Sequence, residues 1–192
     1  MTDDHQPNPA GTGGKVIWHA TMSLDGFLTG PDDATEWVFE YEGPNAVVDE
    51  VIRTTGAILA GRRWHDLAIV RWNGSKGIYG GAWSGPVFVI THRPTEGAHD
   101  PAVTFVSDSL NEAVATARAA AEGRNVVLFG ATIPRQCLAG GLLDEIVIHL
   151  APTLLGAGIR LYGAPAAERI RLETIDVGRS GQLADLRFRV LK

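Results

Sequence analysis

The sequence predicts an α/β domain of three layers, with a mostly parallel central sheet and an antiparallel C-terminal hairpin. Two patterns carry that reading. Residues 57–60, 86–91 and 126–129 are short apolar runs of the kind found in strands covered on both faces, and helix-period segments lie between them. Residues 170–177 and 183–191 instead alternate: Leu186, Phe188 and Val190 stand against Arg187 and Arg189, which marks an antiparallel pair at a sheet edge.

Bulk properties set the limits. A chain of 192 residues, 45% apolar and 20% charged, is large enough for one domain that buries roughly 70% of its unfolded surface. The expected domain spans residues 15–192, preceded by a disordered N-terminal tail at 1–14 that is polar, acidic and rich in Pro and Gly. That tail has no apolar stretch of the kind a secretory signal needs, and no run approaches the ~20 apolar residues of a membrane span. A cytoplasmic protein without a membrane partner is expected. A formal charge of −5 with scattered basic residues argues against nucleic acid. The single cysteine, Cys137, excludes an internal disulfide and a Cys-rich zinc site.

Taken in order, residues 15–24 form the first strand, with Val16, Trp18, Ala20 and Met22 on one face and Ile17, His19, Thr21 and Ser23 on the other. Asp25-Gly26 turns the chain. Residues 28–43 are acidic and turn-rich, yet contain Trp37, Phe39 and Tyr41, which need burial on the core or over a planar ligand. A helix starts after Pro44 with Val47, Val48, Val51 and Ile52 on one face and Gly56 as its stop. The buried strand 57–60 ends at Gly61-Arg62-Arg63-Trp64, where a short helix begins. Residues 70–86 hold five glycines and read as a long surface loop, a type more often functional than neutral.

Strand 86–91 leads to His92-Arg93, and strand 103–106 to a capping box at Ser109 and Glu112. Leu110, Ala113, Val114, Ala117 and Ala121 give that third helix its stripe. Strand 126–129 runs into Gly130-Ala131-Thr132 and a short helix carrying Ile133, Cys137 and Leu138, stopped by Gly140-Gly141. Strand 145–151 follows, and 178–181 joins the two hairpin strands.

Open α/β sheets bind ligands beyond the carboxyl ends of their strands. Four such ends stand out: Ser23-Leu24-Asp25-Gly26, Gly61-Arg62-Arg63, Thr91-His92-Arg93 and Gly130-Ala131-Thr132. Glycine turns at helix starts let backbone N–H groups meet a pyrophosphate, and guanidinium groups hold a phosphate bidentately. There is no G-x-G-x-x-G, so this is not the common dinucleotide fingerprint. His19, His65, His92, His99 and His149 lack helical i, i+4 spacing, and no metal site is expected.

These four motifs, with Leu143-Asp144-Glu145 and the Leu154–Gly158 loop, resemble the dihydrofolate-reductase-like family, in particular the reductase domain of riboflavin biosynthesis proteins. The likeness covers roughly residues 15–191. It implies the dihydrofolate-reductase-like fold and NADPH as cofactor for hydride transfer to a small pterin-like or aminopyrimidine-like heterocycle, or to an imine or carbonyl carbon. The activity implied is that of dihydrofolate reductase or of 5-amino-6-(5-phosphoribosylamino)uracil reductase. It implies a cofactor site of Thr21, Gly61, Arg62, Arg63, Thr91, His92, Arg93, Gly130, Ala131, Thr132 and Ile133, with the 2′-phosphate at Thr91–Arg93. Asp25 becomes the catalytic carboxylate, or remains a turn residue. His19, Trp37 and Asp49 become the substrate-facing residues.

The chain departs from the pattern in two places. His19 stands where riboflavin-pathway reductases carry Lys, and the first helix lacks the acid of true dihydrofolate reductases, with Asp49 the nearest carboxylate. A non-catalytic or regulatory NADP(H)-binding protein is therefore the alternative, and a hydrolase using Asp25 and His19 a third. The family likeness also implies a homodimer through the terminal strands.

Overall fold

A computed structural model describes residues 13–41, 43–93, 100–163 and 169–192. The expected tail therefore lies outside the described residues except for Gly13 and Gly14, as does His99.

The strands in chain order are β1 (Val16–Ser23), β2 (Phe27–Thr29), β3 (Thr55–Gly61), β4 (Val87–Ile90), β5 (Val103–Val106), β6 (Asn125–Phe129), β7 (Glu145–Ala151), β8 (Ile159–Arg160), β9 (Leu172–Ser180) and β10 (Leu183–Val190). The α-helices are α1 (Ala46–Thr54), α2 (Arg62–Trp72), α3 (Leu110–Ala120) and α4 (Thr132–Ala139). Eight strands form one sheet in the order β5-β4-β3-β6-β1-β7-β10-β9. The first six of these run parallel, and β10 and β9 pair antiparallel at one edge, as the alternating C-terminal pattern predicts.

Strand alternation sorts the core into two layers. Even positions of β1, Val16 and Trp18, pack with Ala113, Val114 and Ala117 of α3 and with Ile133, Cys137 and Leu138 of α4. Odd positions face the other side, where Ile17 and Val147 meet Val51 of α1 and Ile78 and Trp83 of the Gly-rich segment. Cys137 is fully buried, and burial pushes its thiol up to about 12, so it packs as a small hydrophobe.

Several boundaries differ from the sequence reading. Helix α1 ends at Thr54 and β3 follows at once, so Gly56 is a strand residue, not a helix stop. A Cβ there would stand 2.8 Å from the Ala121 Cα, and this close approach of the end of α3 explains the glycine. Gly56→Ala is expected to lower stability by about 2 kcal/mol through overpacking, read from urea unfolding. Helix α2 extends to Trp72, and Gly74–Gly81 forms 3-10 turns instead of an open loop. Strand β9 continues through Ser180, which moves the hairpin turn to residues 181–182. A second sheet of β2 and β8, absent from the expected order, ties the turn-rich segment to the loop after β7.

Candidate functional site

A cavity of about 350 Å³ opens at the carboxyl ends of β3, β4 and β6. Gly61, Arg62, Arg63 and Trp64 at the start of α2 line it, with Thr91 and His92 after β4 and Gly130, Ala131, Thr132 and Ile133 before and within α4. Leu28, Thr29, Asp33 and Thr35 form the facing wall. The expected cofactor residues thus converge, apart from Thr21 on β1 and Arg93 just past His92, which do not line the cavity.

How the helices begin explains the cavity's character. Helix α1 is capped by Asn45, whose side chain accepts from the Val47 and Val48 N–H groups, and α3 by the Ser109–Glu112 capping box; both carry an acid in the first turn. Helices α2 and α4 begin at Gly61 and Ala131 with no side-chain cap and no acid in the first turn. Two helix starts without a side-chain cap among the described residues, each with its positive dipole end, therefore border one cavity. Two glycines bring them close. A Cβ on Gly61 would lie 3.2 Å from Ile133 Cγ1, and Gly130 adopts a φ of 81°, the left-handed region glycine favours. The Trp18 indole fixes that second turn by donating to the Gly130 carbonyl at 3.1 Å.

The arginines differ in how far they are committed. Arg62 donates to Asp66 at 2.6 Å and to the Arg93 carbonyl at 2.7 Å, pinning residues 91–93 to α2. Thr91 Oγ1 accepts from the Arg93 N–H at 3.0 Å and completes that turn. Arg63, largely exposed, forms a two-pronged pair with Asp33 across the cavity mouth at 2.9 and 2.7 Å.

The expected substrate-side residues fare differently. Asp25 is not in the cavity. Its carboxylate accepts from Ser23 Oγ at 2.6 Å and from the Leu155 and Gly156 N–H groups at 3.1 and 2.7 Å. The Ser23 hydrogen bond first, then those from the backbone, hold it down at about 2. Asp25 thus ties the Leu154–Gly158 loop to β1, the turn role that stood beside the catalytic one in the sequence reading. Asp49 is exposed on α1, whereas Asn45 at the start of that helix is buried. Trp37 packs on Ala151 and Leu183 outside the cavity lining, and its buried Nε1 has no partner among the described residues.

His19 heads a buried polar chain that the sequence reading missed. On the odd face of the sheet, His19 Nδ1 lies 2.7 Å from the Tyr79 hydroxyl, and His19 Nε2 lies 2.7 Å from His149 Nε2. His149 Nδ1 lies 2.5 Å from Asp185 Oδ1, which also accepts from Asn45 Nδ2 at 3.0 Å, while Ser180 donates to Asp185 Oδ2 at 2.6 Å. Burial, then the neighbouring His149, lowers His19 to about 3. Burial by itself would raise Asp185, but hydrogen bonds from Ser180, His149 and Asn45 prevail and hold it below its ordinary value. Strand alternation could have placed His19, His149 and Asp185 on one face, but the pairing of β7 with β10 is a long-range fact. Among the described residues, no group of three or more His, Cys, Asp or Glu is arranged to hold a metal ion.

A parallel α/β sheet with an antiparallel edge and an anion-suited cleft at its strand ends defines the class. The chain belongs to the RibD C-terminal domain family, whose model matches residues 14–183. It is 28% identical over 183 residues to the uncharacterized protein YwjB of Bacillus subtilis (strain 168), covering 88% of this chain and 95% of that one. A Shewanella sp. PV-4 structure provisionally assigned to riboflavin biosynthesis superposes with a TM-score of 0.77 at 21% identity, over 93% of this chain and 99% of that one. The Thermotoga maritima diaminohydroxyphosphoribosylaminopyrimidine deaminase/5-amino-6-(5-phosphoribosylamino)uracil reductase superposes at 0.66 with 16% identity, over 93% of this chain but 57% of that one. The Saccharomyces riboflavin biosynthesis reductase Rib7 gives 0.59 with 12% identity, over 96% and 92%. These structures share the fold. Among the described residues, no helix is long and apolar enough to cross a membrane.

Proposed function

We propose that the protein is an NADPH-dependent reductase acting on a small planar heterocycle of the pterin or aminopyrimidine class, or on an imine or carbonyl carbon. The observation that carries this is the pair of uncapped, acid-free helix N-termini, Gly61–Arg62 and Ala131–Thr132, facing one cavity at the strand ends. That donor set fits a pyrophosphate: fixed N–H groups, two dipole ends and nearby guanidinium groups. The family and the reductases named among the structural neighbours favour the same reading.

Bound there, NADPH supplies the hydride. The chain's part is to hold and orient. The first turns of α2 and α4 would hold the pyrophosphate, and Arg93, exposed beside the cavity-lining His92, would take the 2′-phosphate. Trp64 and Phe129, stacked with ring centroids 5.0 Å apart, give the cavity an aromatic wall that would shield a bound cofactor from water. Arg93→Ala is expected to weaken NADPH about tenfold or more and to leave NADH nearly unchanged, measured by fluorescence titration. Equal losses for both would remove the 2′-phosphate assignment.

Turnover is tested by NADPH consumption against a panel of pterins, aminopyrimidines and small carbonyl compounds. Consumption with at least one is expected. The second reading, a non-catalytic NADP(H)-binding protein, draws on one observation: the carboxylate lining the cavity, Asp33, is engaged by Arg63. Tight NADPH binding without turnover on the whole panel would favour it. The same proposal makes residues 15–192 a single cytoplasmic domain that dimerises through its terminal strands. Edge strand β9 leaves Leu172, Ile175 and Val177 exposed and has one side unpaired in the sheet. Gel filtration is expected to show twice the 20.5 kDa of one chain.

A further inference from the structure

If the cavity holds a hydride donor, the reduction also needs a proton, and neither Asp25 nor Asp49 is placed to give it. We propose that Tyr79 donates that proton and that Asp185, His149 and His19 form the hydrogen-bonded wire that resupplies it. This rests on the reductase reading above.

The wire follows from register. Asp185 on β10 and His149 on β7 are direct cross-strand partners, and Thr21 on β1 is the partner of His149, so His19 sits diagonally beside it on the same face. The chain Asp185, His149, His19, Tyr79 therefore crosses the sheet strand by strand toward β6. There the Tyr79 ring, itself outside the cavity lining, packs with centroids 5.5 Å apart on Phe129, which lines it. Tyr79 itself has a φ of 51° and a ψ of 39°, the left-handed region, where a bulky aromatic residue is strained. Its hydroxyl lies 2.7 Å from His19 Nδ1.

Chemistry fixes the direction of each hydrogen bond. Ionised Asp185 requires His149 to donate from Nδ1, which leaves His149 Nε2 an acceptor. His19 must then donate from Nε2 and accept at Nδ1 from the Tyr79 hydroxyl. A proton taken up from solvent at the Tyr79 oxygen before substrate binds reverses everything beyond Asp185. Tyr79 passes its own proton to His19 Nδ1, and His19 passes its Nε2 proton to His149, which becomes doubly protonated. Tyr79 then accepts from His19 with its O–H turned outward. In the reduction, the hydride adds to the substrate carbon and Tyr79 gives its proton to the adjoining nitrogen or oxygen. The phenol oxygen takes the Nδ1 proton of His19, and His19 Nε2 takes the Nε2 proton of His149. His149 is left neutral beside Asp185, which is the first arrangement again. The burial that holds His19 well below its ordinary value makes it a conductor, not a store. The other groups facing the chain, Asn45 and Ser180, are neutral donors to Asp185. Farther along the same face, Arg187 is neutralised by Glu145 and Glu50, each at 2.9 Å, and Lys15 pairs with Glu145.

The test reads the imidazole nitrogens of His19 and His149 by NMR on the full-length protein from about pH 8 to about pH 5. The expected result is one shared transition in which the chain takes up a proton and His19 switches from Nε2–H to Nδ1–H. Asp185→Asn is expected to move that transition down by about one pH unit or more. Independent titration of the two histidines, an unchanging His19 tautomer, or a transition indifferent to Asp185→Asn would overturn the wire. With a panel compound that is turned over, Tyr79→Phe is expected to lower kcat about 100-fold with KM little changed; unchanged kcat would overturn the donor role. NADPH titration of the same samples separates the two ideas. Failure of the wild-type protein to bind NADPH removes the reductase reading, whereas the tautomer result judges the wire by itself.

Discussion

Replacing Thr132 by Glu will make the apoprotein slightly more stable and nearly abolish NADPH binding. Thr132 is the first residue of α4, is exposed, and lines the cavity. A carboxylate at an uncapped, acid-free helix start gains roughly 0.3–1 kcal/mol from the dipole. The same carboxylate about 5 Å from a pyrophosphate costs about 3 kcal/mol per phosphate charge at an effective dielectric of ~20, or roughly 100-fold in affinity. Thr132→Gln has the same bulk and no charge, and should keep most of the affinity. Urea unfolding and calorimetric titration read the two effects separately. A Glu variant that binds NADPH as well as the Gln variant would mean that α4 does not receive an anion.

The second large effect is acid sensitivity from the buried polar chain. His19 falls from an ordinary 6.5 to about 3 in the folded protein, through burial first and the neighbouring His149 second. The unfolded chain therefore binds a proton at this position before the folded one does. Its stabilising contribution is fully present above about pH 6.5 and is lost progressively as pH falls toward about 3. Between about pH 7 and about pH 5 that amounts to about 2 kcal/mol. Asp185 acts in a lower window, because a depressed carboxylate loses its contribution only below about pH 4. His19→Gln is expected to lower stability at neutral pH, since it breaks a buried network, and to remove most of the loss between those two pH values. Urea unfolding of both proteins at each pH decides it. Equal pH slopes would show that His19 is not held neutral.

Much of the fold was legible in the sequence. Continuous apolar runs at 57–60 and 126–129 announced buried parallel strands, and the Arg187/Arg189 alternation announced the antiparallel edge, because side-chain period follows directly from which faces are covered. The cleft residues Gly61, Arg62, Thr91 and Gly130 were legible as strand ends, a position that topology makes functional. What failed was whatever depends on distant partners. Gly56 looked like a helix stop until Ala121 was seen against it. Asp25 gave no sign of its partners Leu155 and Gly156, which lie 130 and 131 residues away in sequence. Asn45, His149 and Asp185 are each unremarkable alone. They become a unit only through the pairing of β7 with β10 and the position of α1 across the same face.

The central claim is that two bare helix N-termini make this cavity a dinucleotide site, and direct titration tests it. The full-length protein is titrated calorimetrically with NADPH and then with NADH. One NADPH per chain is predicted, at least tenfold tighter than NADH, and Thr132→Glu is predicted to abolish the signal. No detectable NADPH binding by the wild-type protein, or equal affinity in the wild type and Thr132→Glu, would contradict it.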